Sequence, residues 1–168
     1  QSGKAKVITP ELSTHFDEDM IVLEKWIPKK PISAIYFDGE KERYYIKRFL
    51  VETENKEESF ITEHPNSRLE IVSTDYRPVA ELVFTKIKGV QKENMTVDVA
   101  SFIALKGFKA LGNQLTTDKL KQVNLLEPLP YEIPAEVIPE ELEVKGETDV
   151  DDANIQLDDD GQITMSLE

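Results

Sequence analysis

Residues 32–51 read ISAIYFDGEKERYYIKRFLV, and this stretch decides the fold. Its two apolar segments, residues 32–37 and 43–51, are rich in β-branched and aromatic side chains. The pair Asp38 and Gly39 between them is a strong turn signal. The stretch therefore predicts an antiparallel β-hairpin.

The second half of this hairpin has a counterpart later in the chain. The segment YYIKRF at 44–49 returns as IALKGFK at 103–109, so that Lys47 and Lys106 stand 59 positions apart. A period of this size is typical of arrays built from one supersecondary unit, such as propeller blades. The repeat predicts that both lysines end buried strands and lie along one outer border. Chance similarity between two β-rich segments is the alternative.

Short apolar or alternating segments continue along the chain, with turn signals roughly every 6–12 residues. They lie at residues 20–27, 68–73, 79–87, 95–99, 101–106 and 120–125. No stretch of about 12 or more residues keeps a helical period of 3.6. The pattern predicts an all-β chain of about nine to eleven short strands, in units too small to bury their own cores, which must pack against one another.

The negative charge is concentrated at one end of the chain. The formal net charge is −13, yet residues 131–168 hold 13 of the 33 acids and only one base. We therefore expect a nearly neutral folded module at 1–130 and an acidic tail at 131–168. Apolar residues alternate at 154–167, which predicts a terminal hairpin or edge strand docked on the module. A disordered acidic tail is the alternative.

Several classes of function find no support in the residues. The chain has no cysteine, which excludes disulfides and thiolate metal sites and fits a reducing cytoplasm. No apolar run approaches the ~20 residues that span a bilayer. His15 and His64 lack a partner at metal spacing, and the acidic runs 17–19 and 158–160 lack the ligand spacing of a calcium loop. We expect neither catalysis nor a bound cofactor or metal in this chain, which begins with Gln1 and reads as a piece of a longer protein.

Two motifs resemble a known family. Residues 35–49, with their YFDG and KRF motifs, and residues 102–115, FIALKGFKALGNQL, resemble the C-terminal domain found in the A subunits of bacterial type IIA topoisomerases. The resemblance covers about residues 3–128, and DDDGQIT at 158–164 is similar to the same branch. It implies a β-pinwheel, a ring or spiral of four-stranded blades that exchange strands, of which this chain would hold about two to three. It also implies a basic outer rim around which DNA bends.

The resemblance implies that the chain is an accessory domain of a larger enzyme. It also implies a cytoplasmic location in association with the nucleoid. The parent enzyme, DNA gyrase or topoisomerase IV, uses ATP and Mg²⁺ with its ATPase B subunit, and its catalytic tyrosine lies in another part of the polypeptide. We assign none of the five tyrosines here to DNA cleavage. The glutamine-arginine-glycine-rich box of gyrase is missing, which favours a topoisomerase IV-like bending role over chiral wrapping.

A basic rim would contact the phosphates of duplex DNA without reading its sequence. The predicted contacts are Lys47, Arg48, Arg68, Arg77, Lys86, Lys88, Lys106 and Lys109. Lys119 and Lys121 flank Leu120 in the same manner as Lys86 and Lys88 flank Ile87. Scattered solubilising lysines are one alternative, and a β-repeat module that binds another protein is a second. The acidic tail either occupies the rim as a DNA mimic or only solubilises the chain.

Overall fold

The computed structural model describes residues 2–52 and 56–133, which form an almost entirely β structure. The elements in this part of the chain are β1 (Lys4–Ala5), β2 (Ile32–Asp38), β3 (Arg43–Phe49), β4 (Glu58–Ser59), β5 (Arg68–Ser73), β6 (Val79–Phe84), β7 (Met95–Asp98), α1 (Val99–Phe102), β8 (Asn113–Thr116) and β9 (Leu120–Leu126). The predicted all-β class is confirmed. The predicted acidic tail beyond residue 133, with its hairpin at 154–167, lies outside the described residues.

The hairpin predicted from residues 32–51 is confirmed. β2 and β3 pair in an antiparallel register from Ile32 opposite Phe49 to Asp38 opposite Arg43. The carboxylate of Asp38 is fully buried and accepts bonds of 2.9 Å from the N–H groups of Glu40 and Lys41 in the turn. Its other oxygen accepts a 2.7 Å bond from the hydroxyl of Thr62. These bonds satisfy a buried charge and fix the turn.

The strands form two larger antiparallel sheets and one short pair. The first sheet has the order β5-β2-β3-β8, the second has the order β7-β6-β9, and β1 pairs with β4. The first sheet is covered on both faces, which explains why β2 and β3 read as nearly continuous apolar runs. One face packs Tyr36 and Phe49 against Phe60 and Phe108. The other face packs Ile46 and its neighbours against the second sheet.

The chain crosses between the two sheets more than once. After β5 it builds β6 and β7 of the second sheet, returns to the first sheet as β8, and then completes the second sheet with β9. The last strand of each sheet thus follows, in the sequence, a strand that belongs to the other sheet. This interlocking is consistent with the strand exchange of a β-pinwheel.

Two predicted strands are wrong. Residues 20–27 pair with no other strand in the described part of the chain, and several side chains there, including Met20 and Ile21, are exposed. Their apolar run does not alternate, so it specifies no single buried face. Residues 101–106 contain the end of α1 instead of a strand. Asp98 caps this one-turn helix by accepting a bond from the N–H of Ser101.

The remaining strand predictions hold, with differences in their bounds. The strands predicted at 68–73, 95–99 and 120–125 are present as β5, β7 and β9. β6 ends at Phe84, three residues before the predicted end, because the chain turns there into a second small hairpin. No helix in the described ranges is long and apolar enough to cross a membrane.

Candidate nucleic-acid interface

The two similar segments lie side by side and do not form equivalent blades. Lys106 makes a parallel bridge to Phe49, and its N–H donates a 2.7 Å bond to the carbonyl of Arg48. The ring of Phe108 meets that of Phe49 at 5.4 Å. The predicted repeat of a buried strand is therefore wrong. The lysine–phenylalanine pattern serves packing between the two segments.

Lys47 is buried, so its predicted place on an outer surface is wrong. It shares a face of β3 with Tyr45 and Phe49, and this face forms the core. Its ammonium donates bonds of 2.7 Å to the carbonyls of Phe60 and Phe108, and it lies 4.7 Å from the centre of the Phe49 ring. Loss of hydration lowers the pKa of Lys47 to about 8. Its charge joins three segments of chain and does not face solvent.

Other predicted contacts lie at what we call the far end, where β2 begins and β3 finishes. Arg48 is partly buried, its guanidinium donates a 2.7 Å bond to the carbonyl of Tyr76, and burial lowers its pKa. Arg77 pairs with Asp98 at 2.8 Å. These two arginines hold loops together. Lys106 is exposed there.

Lys109 is also engaged within the fold. Its ammonium lies 2.8 Å from a carboxylate oxygen of Glu58, and 5.7 Å from the centre of the Phe108 ring. It therefore belongs to the face covered by β4, away from both sheet ends that carry the other candidates.

At the opposite end, Lys86 and Lys88 follow β6 in a tight hairpin. Ile87 and Val90 exchange backbone hydrogen bonds of 3.1 and 3.0 Å. Lys88 and Gly89 between them have φ values of 50° and 83°, and positive φ at both central residues is what a type I′ turn requires. The turn holds Lys88 at the tip of the loop, exposed to solvent.

A second turn brings further lysines beside this hairpin. The N–H of Thr85 donates a 2.9 Å bond to the carbonyl of Lys119, and β6 pairs with β9 as far as Phe84 opposite Leu120. Asp118 precedes Lys119 in this second turn, and its carboxylate lies 2.6 Å from the ammonium of Lys92. We call the five exposed lysines of these two turns the lysine cluster: Lys86, Lys88, Lys92, Lys119 and Lys121.

Arginines of the first sheet continue the cluster. Arg68 starts β5, stacks over Phe37 at 4.5 Å and donates a 3.1 Å bond to the hydroxyl of Tyr44. That hydroxyl reaches the carbonyl of Leu120 at 3.5 Å, beside the lysine cluster. Arg43 starts β3 and bonds the side chain of Gln114 on β8 at 2.8 Å. We call Arg43, Arg68 and the lysine cluster together the basic end.

The comparison with protein families agrees with this architecture. A family model for the topoisomerase C-terminal domain of Bacteroidota matches residues 1–127. The chain belongs to this topoisomerase C-terminal domain family. Comparisons with curated proteins and with solved structures find no match.

Charge on the basic end of this topoisomerase C-terminal domain is uneven. On the first sheet, Lys41 is flanked by the exposed Glu40 and Glu42, and Arg68 is paired with Glu70 at 2.8 Å. Residues 85–93 and 117–121 of the second sheet carry the five lysines of the cluster against only two carboxylates. Among the described residues, ion pairs engage Lys92 but none of the other four lysines. The lysine cluster therefore carries a local excess of positive charge.

The predicted contacts of the topoisomerase C-terminal domain thus separate into groups. Three of them, Arg68, Lys86 and Lys88, come together at the basic end. Three others, Arg48, Arg77 and Lys106, lie at the far end. The length of a seven-residue strand, roughly 20 Å, separates the far end from the basic end. Arg43 and Lys92 join the basic end although no motif marked them. The hairpin register could have indicated Arg43, because it places that residue opposite Asp38 at the same end as β5 begins.

The described residues contain no group of three or more His, Asp or Glu side chains arranged to hold a metal ion. The basic end offers the ammonium groups of five lysines and the guanidinium groups of Arg43 and Arg68. Such groups suit oxyanions, and above all a row of phosphates.

Proposed function

We propose that this domain binds duplex DNA without sequence preference, as the accessory domain of a type IIA topoisomerase of the gyrase or topoisomerase IV kind. The observation that supports the proposal is the meeting of cations from both sheets at the basic end, with four exposed lysines outside any ion pair of the described residues. Membership of the topoisomerase C-terminal domain family gives independent support.

The chemistry of the contact is electrostatic. Each lysine that neutralises a phosphate releases condensed counterions, and log K then falls with log salt by about 0.9 per contact. The lysine cluster offers five ammonium groups that could each neutralise a phosphate. Because ammonium groups on flexible stems do not read base edges, the contact positions DNA and carries no sequence information.

The domain supplies a surface and not a reaction. ATP, Mg²⁺, the cleavage tyrosine and the ATPase B subunit belong to the rest of the parent enzyme, which we propose is DNA gyrase or topoisomerase IV. The lack of a glutamine-arginine-glycine-rich box favours the topoisomerase IV kind. In that role the lysine cluster would hold or bend the DNA segment that is to be transported.

The proposal is tested by a matched pair of double variants in the full chain. Lys86→Gln with Lys88→Gln removes two charges from the basic end, and Lys106→Gln with Lys109→Gln removes two from elsewhere. DNA affinity is measured by fluorescence anisotropy with a labelled duplex over a range of salt concentrations. We expect the first variant to bind more weakly and its salt slope to fall by about two, while the second keeps the slope of the parent chain.

Two outcomes would contradict the proposal. Absence of binding at low salt would remove the DNA function of the isolated chain and favour the protein-interaction module, which the exposed apolar residues near Met20 support. An equal loss in both variants would leave no role for the basic end as a distinct site.

A further inference from the structure

The N-terminal segment covers part of the first sheet without joining it. Between β1 and β2, residues 6–31 contain no strand. This segment encloses an open groove of about 760 Å³ against the sheet. Met20, Leu23 and Trp26 line one side of the groove, and Leu69 and Val72 line the other. Apolar side chains therefore lie on both sides of the groove, and charged side chains such as Asp17 and Glu57 also line it.

This groove reaches the outermost strand of the sheet, because Leu69 and Val72 of β5 line it. β5 pairs only with β2 and is the outermost strand of its sheet, so one row of its backbone N–H and C=O groups is unpaired by any described strand. Leu23 and Trp26 expose 63% and 45% of their surface. An apolar groove next to an open strand edge suits an extended segment that adds one strand and inserts alternate side chains.

We propose that residues 161–167 of the same chain, GQITMSL, occupy this groove as an added strand beside β5. Ile163, Met165 and Leu167 alternate with polar residues, which is the pattern of a strand with one apolar face. The preceding run of Asp158 to Asp160 with Gly161 gives the turn that would start the strand.

The described chain ends close to the groove. Tyr131 stacks on Tyr76 with ring centres 5.3 Å apart and planes at 2°. Two residues before Tyr76, Thr74 lines the groove and donates a 3.1 Å bond to Glu24 on the N-terminal segment. The chain therefore leaves the described structure beside the groove.

The chain that follows is long enough to reach the groove in any direction. The 27 residues between Ile133 and Gly161 span up to about 90 Å when extended. A segment tethered by a linker of about this length has an effective concentration near the millimolar range. Docking within one chain is thus favoured over docking of a second copy at ordinary protein concentrations.

The only tryptophan of the chain reports on the groove, because Trp26 lines it. Acrylamide quenching of Trp26 fluorescence is compared in the full chain and in two single variants. Met165→Asp places a charge on the apolar face of the segment, whereas Thr164→Asp places the same charge on its polar face. We expect Met165→Asp to lose the protection of Trp26 from the quencher, and Thr164→Asp to keep it.

A cysteine pair gives a second measurement, since the chain has no native cysteine. Leu23→Cys with Met165→Cys should form an intramolecular disulfide under mild oxidation, and Leu23→Cys with Lys145→Cys should not. Equal quenching in both aspartate variants would overturn the proposal, as would equal cross-linking in both cysteine pairs. Protection of Trp26 that rises with protein concentration would instead assign the groove to a second copy and overturn docking within the chain.

Discussion

A single buried lysine organises the centre of this domain. Among the described residues, no carboxylate is a partner of Lys47. Two carbonyls and an aromatic ring surround its ammonium instead. Hydrogen bonds from a charged donor are strong, but removal of the ammonium from water is costly. Lys47 therefore connects β3 to two loops through these hydrogen bonds. The stability that this connection provides depends on whether the amine is protonated.

The stability of the domain should rise with pH through the titration of Lys47. Its folded pKa of about 8 lies below its unfolded value of ~10.4, so between these pH values the unfolded chain binds more protons. The free energy of unfolding should therefore increase as the pH rises over this window. Below pH 8 the buried ammonium stays charged, and its desolvation lowers the free energy of unfolding by the full amount. Each unit of pKa difference corresponds to about 1.4 kcal/mol.

Urea unfolding at several pH values in this window measures the effect. Lys47→Met should lose the rise, while Lys121→Met, which changes an exposed lysine of the lysine cluster, should retain it. Other groups that titrate in this range are common to all three proteins and cancel in the comparison. A rise of the same size in the Lys47→Met protein would assign it to another group.

At the scale of elements, the segment between α1 and β8 fits closely against β3. Gly112 has a φ of 87°, and a Cβ there would collide with the carbonyl oxygen of Ile46 and the Cβ of Lys47. Gly107, five residues earlier, has open space around it and no positive φ. Of the two glycines in this motif, the backbone conformation and packing thus require glycine only at position 112.

Alanine substitution should separate the two positions. Gly112→Ala places a Cβ on a residue with a left-handed backbone and causes a clash. We therefore expect the free energy of unfolding to fall by about 1–3 kcal/mol or more. Gly107→Ala should be neutral or stabilising by up to about 1 kcal/mol, because it only restricts the unfolded chain. Thermal unfolding of both variants measures the difference. Equal destabilisation would show that the segment does not pack against β3 as described.

Strands are predictable from the sequence where local chemistry and the final fold agree. Asp38 and Gly39 fix the first hairpin because the buried carboxylate bonds to the turn itself. The alternation at 68–73 matches a strand with two different faces. β8 escapes prediction because it is a four-residue strand whose first two residues, Asn113 and Gln114, are exposed and polar. The run at 20–27 is overpredicted because apolar composition alone does not supply a strand partner.

The candidate site is less predictable, since it depends on long-range register. Lys47 and Lys86 look alike in the sequence, each beside apolar residues. Only the packing of Phe60 and Phe108 on β3 buries the first of them. The meeting of Lys86 with Lys119 depends on pairing between β6 and β9, which are more than thirty residues apart in the chain.

At the scale of the whole molecule, we propose that the acidic tail weakens DNA binding at the basic end. Residues 131–168 carry a net charge of −12, against a lysine cluster of five cations. A tethered polyanion would compete with DNA for those cations, and salt would screen the competition. Replacement of the seven acids at 140–152 by their amides should therefore tighten DNA binding several-fold at low salt and much less at high salt.

The matched control exchanges Glu for Asp and Asp for Glu at the same seven positions, which keeps the charge. Fluorescence anisotropy with a labelled duplex compares both proteins with the parent chain. Unchanged affinity in the amide protein would leave the tail with a solubilising role alone.

The position of β8 has a consequence for synthesis on the ribosome. The first sheet receives its fourth strand only when residues 113–116 have emerged, after all of β6 and β7. Until then the nascent chain exposes one side of β3 to other polypeptides, in a state open to misassembly. Neither sheet is complete before β8 and β9 have emerged, so the two sheets should become stable together.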